Sequence, residues 1–163
     1  MACTQQFCTF LLGDHLFGIE VEKVQEIIRQ GEITPVPLAP RAALGLINLR
    51  GEIVAVIDLR ARLDLGAGPS GADYMNVVVR SPHGPVSLLV DEIGDVIEVD
   101  ESTFQRPPET LRGVARDLIR GAHKLEGRLL LVLETERAAD PRSLIDAGGR
   151  GGAEPYVACP HGN

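Results

Sequence analysis

The chain has 163 residues, a formal charge of −7, 44% hydrophobic but only 4% aromatic residues, and no tryptophan. That length suffices for one domain with its own core, without disulfides or metal as staples, and a core so poor in aromatics must be built from Val, Leu and Ile, which favours strands. The acidic balance argues against a nucleic-acid backbone or an acidic lipid surface as partner, because both demand clustered Lys and Arg.

In chain order, strand-like runs cover Phe7 to Leu12 and Leu16 to Ile19, with Gly13-Asp14 as the reversal between them. Val21 to Ile28 keeps Val21, Val24 and Ile28 at i, i+3, i+7, which predicts a two-turn helix held by packing against sheets. A strand-like run from Ile27 to Val36 follows, then a hairpin. Residues 66–73 read as a surface loop and a subdomain boundary. Further strands are predicted at Tyr74 to Val79, Val86 to Val90, Asp95 to Val99 and Arg128 to Leu133, with turns at Ser81-Pro82-His83-Gly84 and Glu126-Gly127. The spacing indicates an all-β class with minor α. From about residue 141 to 163 the composition shifts, predicting a short helix and a flexible Gly-rich tail after a domain over residues 1–140.

The densest signal is Gly45 to Leu63, GLINLRGEIVAVIDLRARL. Leu46 to Leu49 and Ile53 to Ile57 are short β-branched runs, and Arg50-Gly51 stands where a hairpin must reverse, with Gly51 free to take positive φ. The second run is apolar at consecutive positions, as in a strand covered on both faces. Asp58 is placed to cap a helical turn through the N–H groups of Arg60 or Ala61, with Leu59 and Leu63 on one face. All of this is accounted for by a buried hairpin leading into a capped helix, except Arg50.

This run resembles the signature of the CheW family, the coupling proteins of bacterial chemotaxis, through Gly45, Asn48-Leu49-Arg50-Gly51 and Asp58-Leu59-Arg60. The similarity extends to Phe10-Leu11-Leu12-Gly13, Phe17-Gly18-Ile19 and Lys23-Val24-Gln25-Glu26-Ile27 upstream. Downstream it continues in Val90-Asp91-Glu92-Ile93-Gly94-Asp95-Val96 and Leu125-Glu126-Gly127-Arg128-Leu129, so that it covers about residues 5–140. Ala55 and Glu134 depart from the family's common proline and aspartate. The resemblance implies two small five-stranded SH3-like β-barrels packed together.

Catalytic and metal motifs do not appear. Cysteines at 3, 8 and 159 have no ligand spacing, their odd number does not suit a disulfide framework, and a reducing cytoplasm is expected. Histidines at 15, 83, 123 and 161 form no i, i+4 pair, and His123 is expected to face solvent on a strand edge. The Gly-rich stretches lack a phosphate-loop ending, no nucleophile elbow occurs, and Asp91-Glu92 reads as the surface end of a strand. No cofactor, metal or enzymatic activity is expected. No targeting segment or membrane insertion is expected either.

Two residues leave something unexplained. Val24 fits a core position at helical spacing, yet the resemblance assigns it, with Glu26, to the surface that meets the tip of a chemoreceptor hairpin. Arg50 fits a solvated turn charge, but an arginine fork can also hold a carboxylate bidentately, and since the resemblance places both residues in one contact region, pairing with Glu26 is expected to tie the hairpin to the first helix and fix the groove between the barrels. By the same resemblance Gly45, Val77, Ser87 and Val96 line that groove, Gly45 because a side chain there would block close approach. The alternative for each is ordinary strand packing. The implied function is an adaptor between the receptor tip and the regulatory domain of a CheA-like histidine kinase, self-associating weakly in arrays on the inner face of the membrane. A second reading places the same fold in a chemosensory pathway for surface motility or another output.

Overall fold

Eleven strands in two sheets form the fold of this computed structural model, which describes residues 3–66, 68, 73–107 and 113–140. The first sheet contains β1 (Thr4–Leu12), β2 (His15–Glu20), β8 (Glu92–Asp100), β9 (Phe104–Gln105), β10 (Ile119–Leu125) and β11 (Arg128–Leu133) in the order β8-β1-β2-β11-β10-β9. The second contains β3 (Val24–Arg29), β4 (Ala43–Leu49), β5 (Glu52–Asp58), β6 (Met75–Val79) and β7 (Val86–Val90) in the order β3-β6-β7-β5-β4. Neighbours run antiparallel except β2 with β11 and β5 with β7. Helices are short: α1 (Leu59–Arg62), α2 (Val114–Leu118) and α3 (Thr135–Ala138).

The core has three parts that follow from strand alternation. Phe10, Phe17 and Ile19 of the first sheet meet Ile57, Val77, Leu88 and Val90 of the second in a shared cluster, to which Leu59, Leu63, Leu118 and Leu133 also belong. The opposite face of the first sheet buries Phe7, Leu16, Leu130 and Val132, and that of the second buries Ile47, Val54, Val56 and Leu89. The long apolar run of β5 is used on both faces, as its sequence requires. Val54 and Val56 point one way and Ile57 the other, while Ile53 emerges with 62% exposure.

The helix expected over Val21 to Ile28 is a strand. Only Val21–Lys23 forms a 3₁₀ turn, and from Val24 the chain is extended and paired with β6. The register shift between Val24 and Glu26 leaves Val24 against the shared cluster and Ile28 against the opposite face of the sheet, so the two do not lie on one face as a helix would require. Pairing with a sheet edge outweighs a helix too short to persist alone. The run expected to reach Val36 stops at Arg29, and Thr34 instead makes an isolated bridge to Leu46 of β4, with both backbone bonds at 2.8 Å.

Residues 66–73 fall in sequence between α1 and β6, so the strands on either side, β5 and β6, both lie in the five-stranded sheet and the boundary expected there does not separate the two sheets. Residues 67 and 69–72, like the terminal helix and tail expected over 141–163, lie outside the described residues. The chain changes sheet between β2 and β3 and between β7 and β8. Glu20 holds the first crossing by accepting from Lys23 Nζ at 2.9 Å, Arg120 Nη1 at 3.1 Å and Gln5 Nε2 at 3.0 Å.

Strand β10 escapes sequence patterning because its inward positions are Ile119, Gly121 and His123, an unusual apolar face. Gly121 is required there, since a Cβ would strike the Phe104 ring. His123 does not face solvent. It is 3% exposed and lies between the rings of Phe7 and Phe104, with centroids at 5.6 and 5.3 Å. Thr103 Oγ1 donates to the Asp100 carbonyl at 2.8 Å, so it accepts from His123 Nδ1–H at 2.8 Å. Burial pushes the His123 pKa down.

Candidate functional site

The β4–β5 turn consists of two residues, Arg50 and Gly51, between the pair Leu49 and Glu52, with φ of +51° and +89°. Positive φ at both positions is the hairpin geometry that matches strand twist. Gly51 adopts it freely, and Asn48 Oδ1 accepts from Gly51 N–H at 2.8 Å, which locks the turn. Arg50 is thereby held in the left-handed region with its side chain projecting from the tip.

The Arg50 guanidinium meets the Glu26 carboxylate fork to fork: Nη1 donates to Oε2 at 2.7 Å, and Nη2 donates to Oε1. Glu26 lies on β3 and Arg50 at the end of β4, and these two strands are opposite edges of the five-stranded sheet. The sheet therefore curls until one ion pair spans its edges, and the Thr34–Leu46 bridge ties the segment that follows β3 to β4 through backbone. Arg50 is 70% and Glu26 20% exposed, so the pair contributes at most about 1 kcal/mol, and its main effect is geometric.

Cross-strand register explains where the other candidates fall. Glu26 pairs with Val78, Val78 with Ser87, Ser87 with Val56 and Val56 with Gly45, forming one row across the sheet. Glu26, Ser87 and Gly45, scattered in sequence, thus share a face. Val77 is one residue out of this row and points to the shared core at 1% exposure. Ser87 is fully buried, and its Oγ has no hydrogen-bond partner. Val77 and Ser87 are therefore removed from the set of surface contacts: neither side chain reaches the exterior.

Gly45 has φ of +150°, and a Cβ there would overlap the Thr34 carbonyl and come within 2.9 Å of Pro35 Cα. The close approach that demands glycine is internal, made by the segment closing the sheet edge rather than by a partner. Val24 is half-buried against the shared core with part of its side chain outside. Val96, 58% exposed, lies on β8 at the edge of the other sheet.

Three features were not singled out from sequence. Ile53 places an exposed apolar side chain three residues after Arg50. Arg80, following β6, donates Nη1 to the carbonyls of Glu22 and Val24 beside the site. Asp91 is not a free strand end. Its carboxylate accepts from Arg60 Nε at 2.9 and 3.1 Å, from Arg60 Nη2 at 2.6 Å and from Gly13 N–H at 2.8 Å. This joins the β1–β2 turn to α1, and the Arg60 hydrogen bonds hold the Asp91 pKa below its ordinary value. Arg60 and Asp91 stand in the two quoted motifs, but only the fold reveals that they meet.

The Asp58 carboxylate caps α1 as its position predicts, accepting from Arg60 N–H at 3.1 Å and Ala61 N–H at 3.4 Å. Among the described residues no three His, Cys, Asp or Glu side chains could together hold a metal ion, and no helix is long and apolar enough to cross a membrane. What the site offers is a charged fork beside exposed aliphatic side chains, an arrangement suited to gripping a polypeptide surface.

Comparison with known proteins is consistent with this geometry. The model of the CheW-like domain matches residues 6–141. A chemotaxis protein CheW from Treponema pallidum is 31% identical over 143 residues, covering 85% of this chain and 84% of the relative. One from Bacillus subtilis is 32% identical over 142 residues, covering 85% and 89%. Among solved structures, the scaffolding protein TtCheW from Thermoanaerobacter tengcongensis superimposes with a TM-score of 0.77 at 26% identity, covering 83% of this chain and 92% of its own.

Proposed function

This chain belongs to the CheW family, and from that premise we propose that it is a non-catalytic adaptor coupling chemoreceptors to a CheA-like histidine kinase in chemotaxis. The observation that carries the reading is the family match over residues 6–141, which takes in all eleven strands apart from Thr4 and Gln5. Two of the relatives are named as chemotaxis proteins and one as a scaffold, which supports a role in assembly rather than reaction.

At the receptor surface, Val24 supplies aliphatic contact and the Glu26–Arg50 fork sets orientation, with Ile53 and Val96 extending the apolar area. The partner is the helical tip of a receptor's cytoplasmic hairpin, whose apolar stripe seats in the groove while charges fix its register. The kinase's regulatory domain binds elsewhere on the sheets. Each contact is weak, and array formation at the cytoplasmic face of the membrane, helped by weak self-association, converts them into avidity.

The test is a titration of the full chain against a receptor cytoplasmic hairpin and against the kinase regulatory domain, with Arg50→Ala and Val24→Glu variants shown to be folded. Binding of both partners by the wild type, with selective loss of the receptor in the variants, is the expected result. A wild type that binds neither overturns the assignment.

A further inference from the structure

The candidate docking segment is held by a residue outside it. The pairing of β3 with β6 is irregular at its start: Val24 pairs with Val79, and the register then shifts before Glu26 meets Val78. The 3₁₀ turn just upstream closes through Val24 N–H donating to the Val21 carbonyl. The next three carbonyls, those of Glu22, Lys23 and Val24, are each held by Arg80. Its backbone N–H donates to Lys23 O at 3.0 Å, and Nη1 donates to Glu22 O at 3.0 Å and to Val24 O at 3.1 Å. Nη1 carries two hydrogens, enough for both carbonyls, and a planar guanidinium fixes the angle between them.

We infer that Arg80 is a positioning residue for the docking segment: by holding three consecutive carbonyls it sets the turn and the register shift that place Val24 and Glu26. The inference rests on the receptor reading above and adds to it a residue that need not touch the receptor itself. Water can replace a single exposed hydrogen bond with little penalty, but it cannot impose a common geometry on two carbonyls two residues apart. Without the guanidinium, Val24 and the carboxylate that grips Arg50 sample several directions. The partner must then select one of them, and apparent affinity falls with the population of the competent state.

The variants are Arg80→Met, which keeps an apolar stem without donors, and Arg80→Lys, whose point charge lacks the fork. Hydrogen exchange of the Val24 amide and titrations against both partners are read in parallel. Arg80→Met should exchange Val24 N–H faster and bind the receptor hairpin about tenfold more weakly, with kinase binding unchanged and Arg80→Lys in between. Unchanged receptor binding in Arg80→Met, or equal loss of both partners, overturns the positioning role. If the wild type itself ignores the receptor hairpin, the receptor reading fails, and the Val24 amide still decides the clamp: unchanged exchange in Arg80→Met, or in Arg80→Lys should the first variant not fold, refutes it.

Discussion

Removing Arg60 should loosen the joint between the two sheets. Arg60 lies in α1, directly after β5, and its side chain is only 14% exposed over an Asp91 side chain that is 17% exposed. Asp91 also accepts from the Gly13 amide in the β1–β2 turn, so the pair ties three separate chain segments. Arg60→Ala deletes the charge-assisted bonds and leaves a largely buried carboxylate with one remaining donor. Full burial would put the loss in the range of broken buried pairs, and residual water access reduces it to about 2–3 kcal/mol. For a domain of this size that is a fall in Tm of roughly 5–10 °C. A double-mutant cycle with Asp91→Ala should give a coupling energy of about 1.5 kcal/mol. The sign with pH follows from the depressed Asp91 pKa. The folded state binds its proton more weakly than the unfolded chain, so the stabilisation is complete above the unfolded value and lost as pH falls through the folded one. Urea titrations at pH 7 and pH 3 should therefore show the gap between wild type and Asp91→Asn narrowing in acid. A coupling energy below about 0.5 kcal/mol, or a gap of equal size at both pH values, refutes the reasoning.

Gly45→Ala should destabilise the fold by about 3 kcal/mol in urea unfolding, because the added Cβ meets the Thr34 carbonyl at a φ that L side chains avoid; a loss under about 1 kcal/mol would contradict the closure of the sheet edge. Ser87→Ala should be neutral or slightly stabilising, since it removes a buried hydroxyl without a partner, and receptor binding measured by titration should not change. His123 favours its neutral form in the fold because burial depresses its pKa. Wild-type stability should fall as pH drops below the ordinary histidine value, and His123→Gln should flatten that part of a Tm-against-pH profile.

The hairpin, its two-residue turn and the Asp58 cap were legible from local sequence, because turn chemistry and capping depend on residues within a few positions of one another. The class was legible too, since β-branched runs at short spacing have few other uses. Local pattern failed at Val24 and Ile28, whose spacing reads as one helical face, whereas the register shift in β3 sends them to different clusters. It failed again at β10, where Gly121 and His123 occupy inward positions that only Phe104 and Phe7 make sensible.

Which candidates reach the exterior was decided by register. Val77 and Ser87 read as alternate strand residues, and a one-residue offset sends each to a different face, but both faces of β6 and β7 are covered. Glu26, Ser87 and Gly45 share a row, Glu26 and Arg50 meet across the sheet's opposite edges, and Arg80 takes three carbonyls fifty-odd residues upstream. Sequence alone determined which residues can turn, cap or pair; tertiary structure decided which of them meet, because strand pairing at long separation is set by the order and curl of the whole sheet.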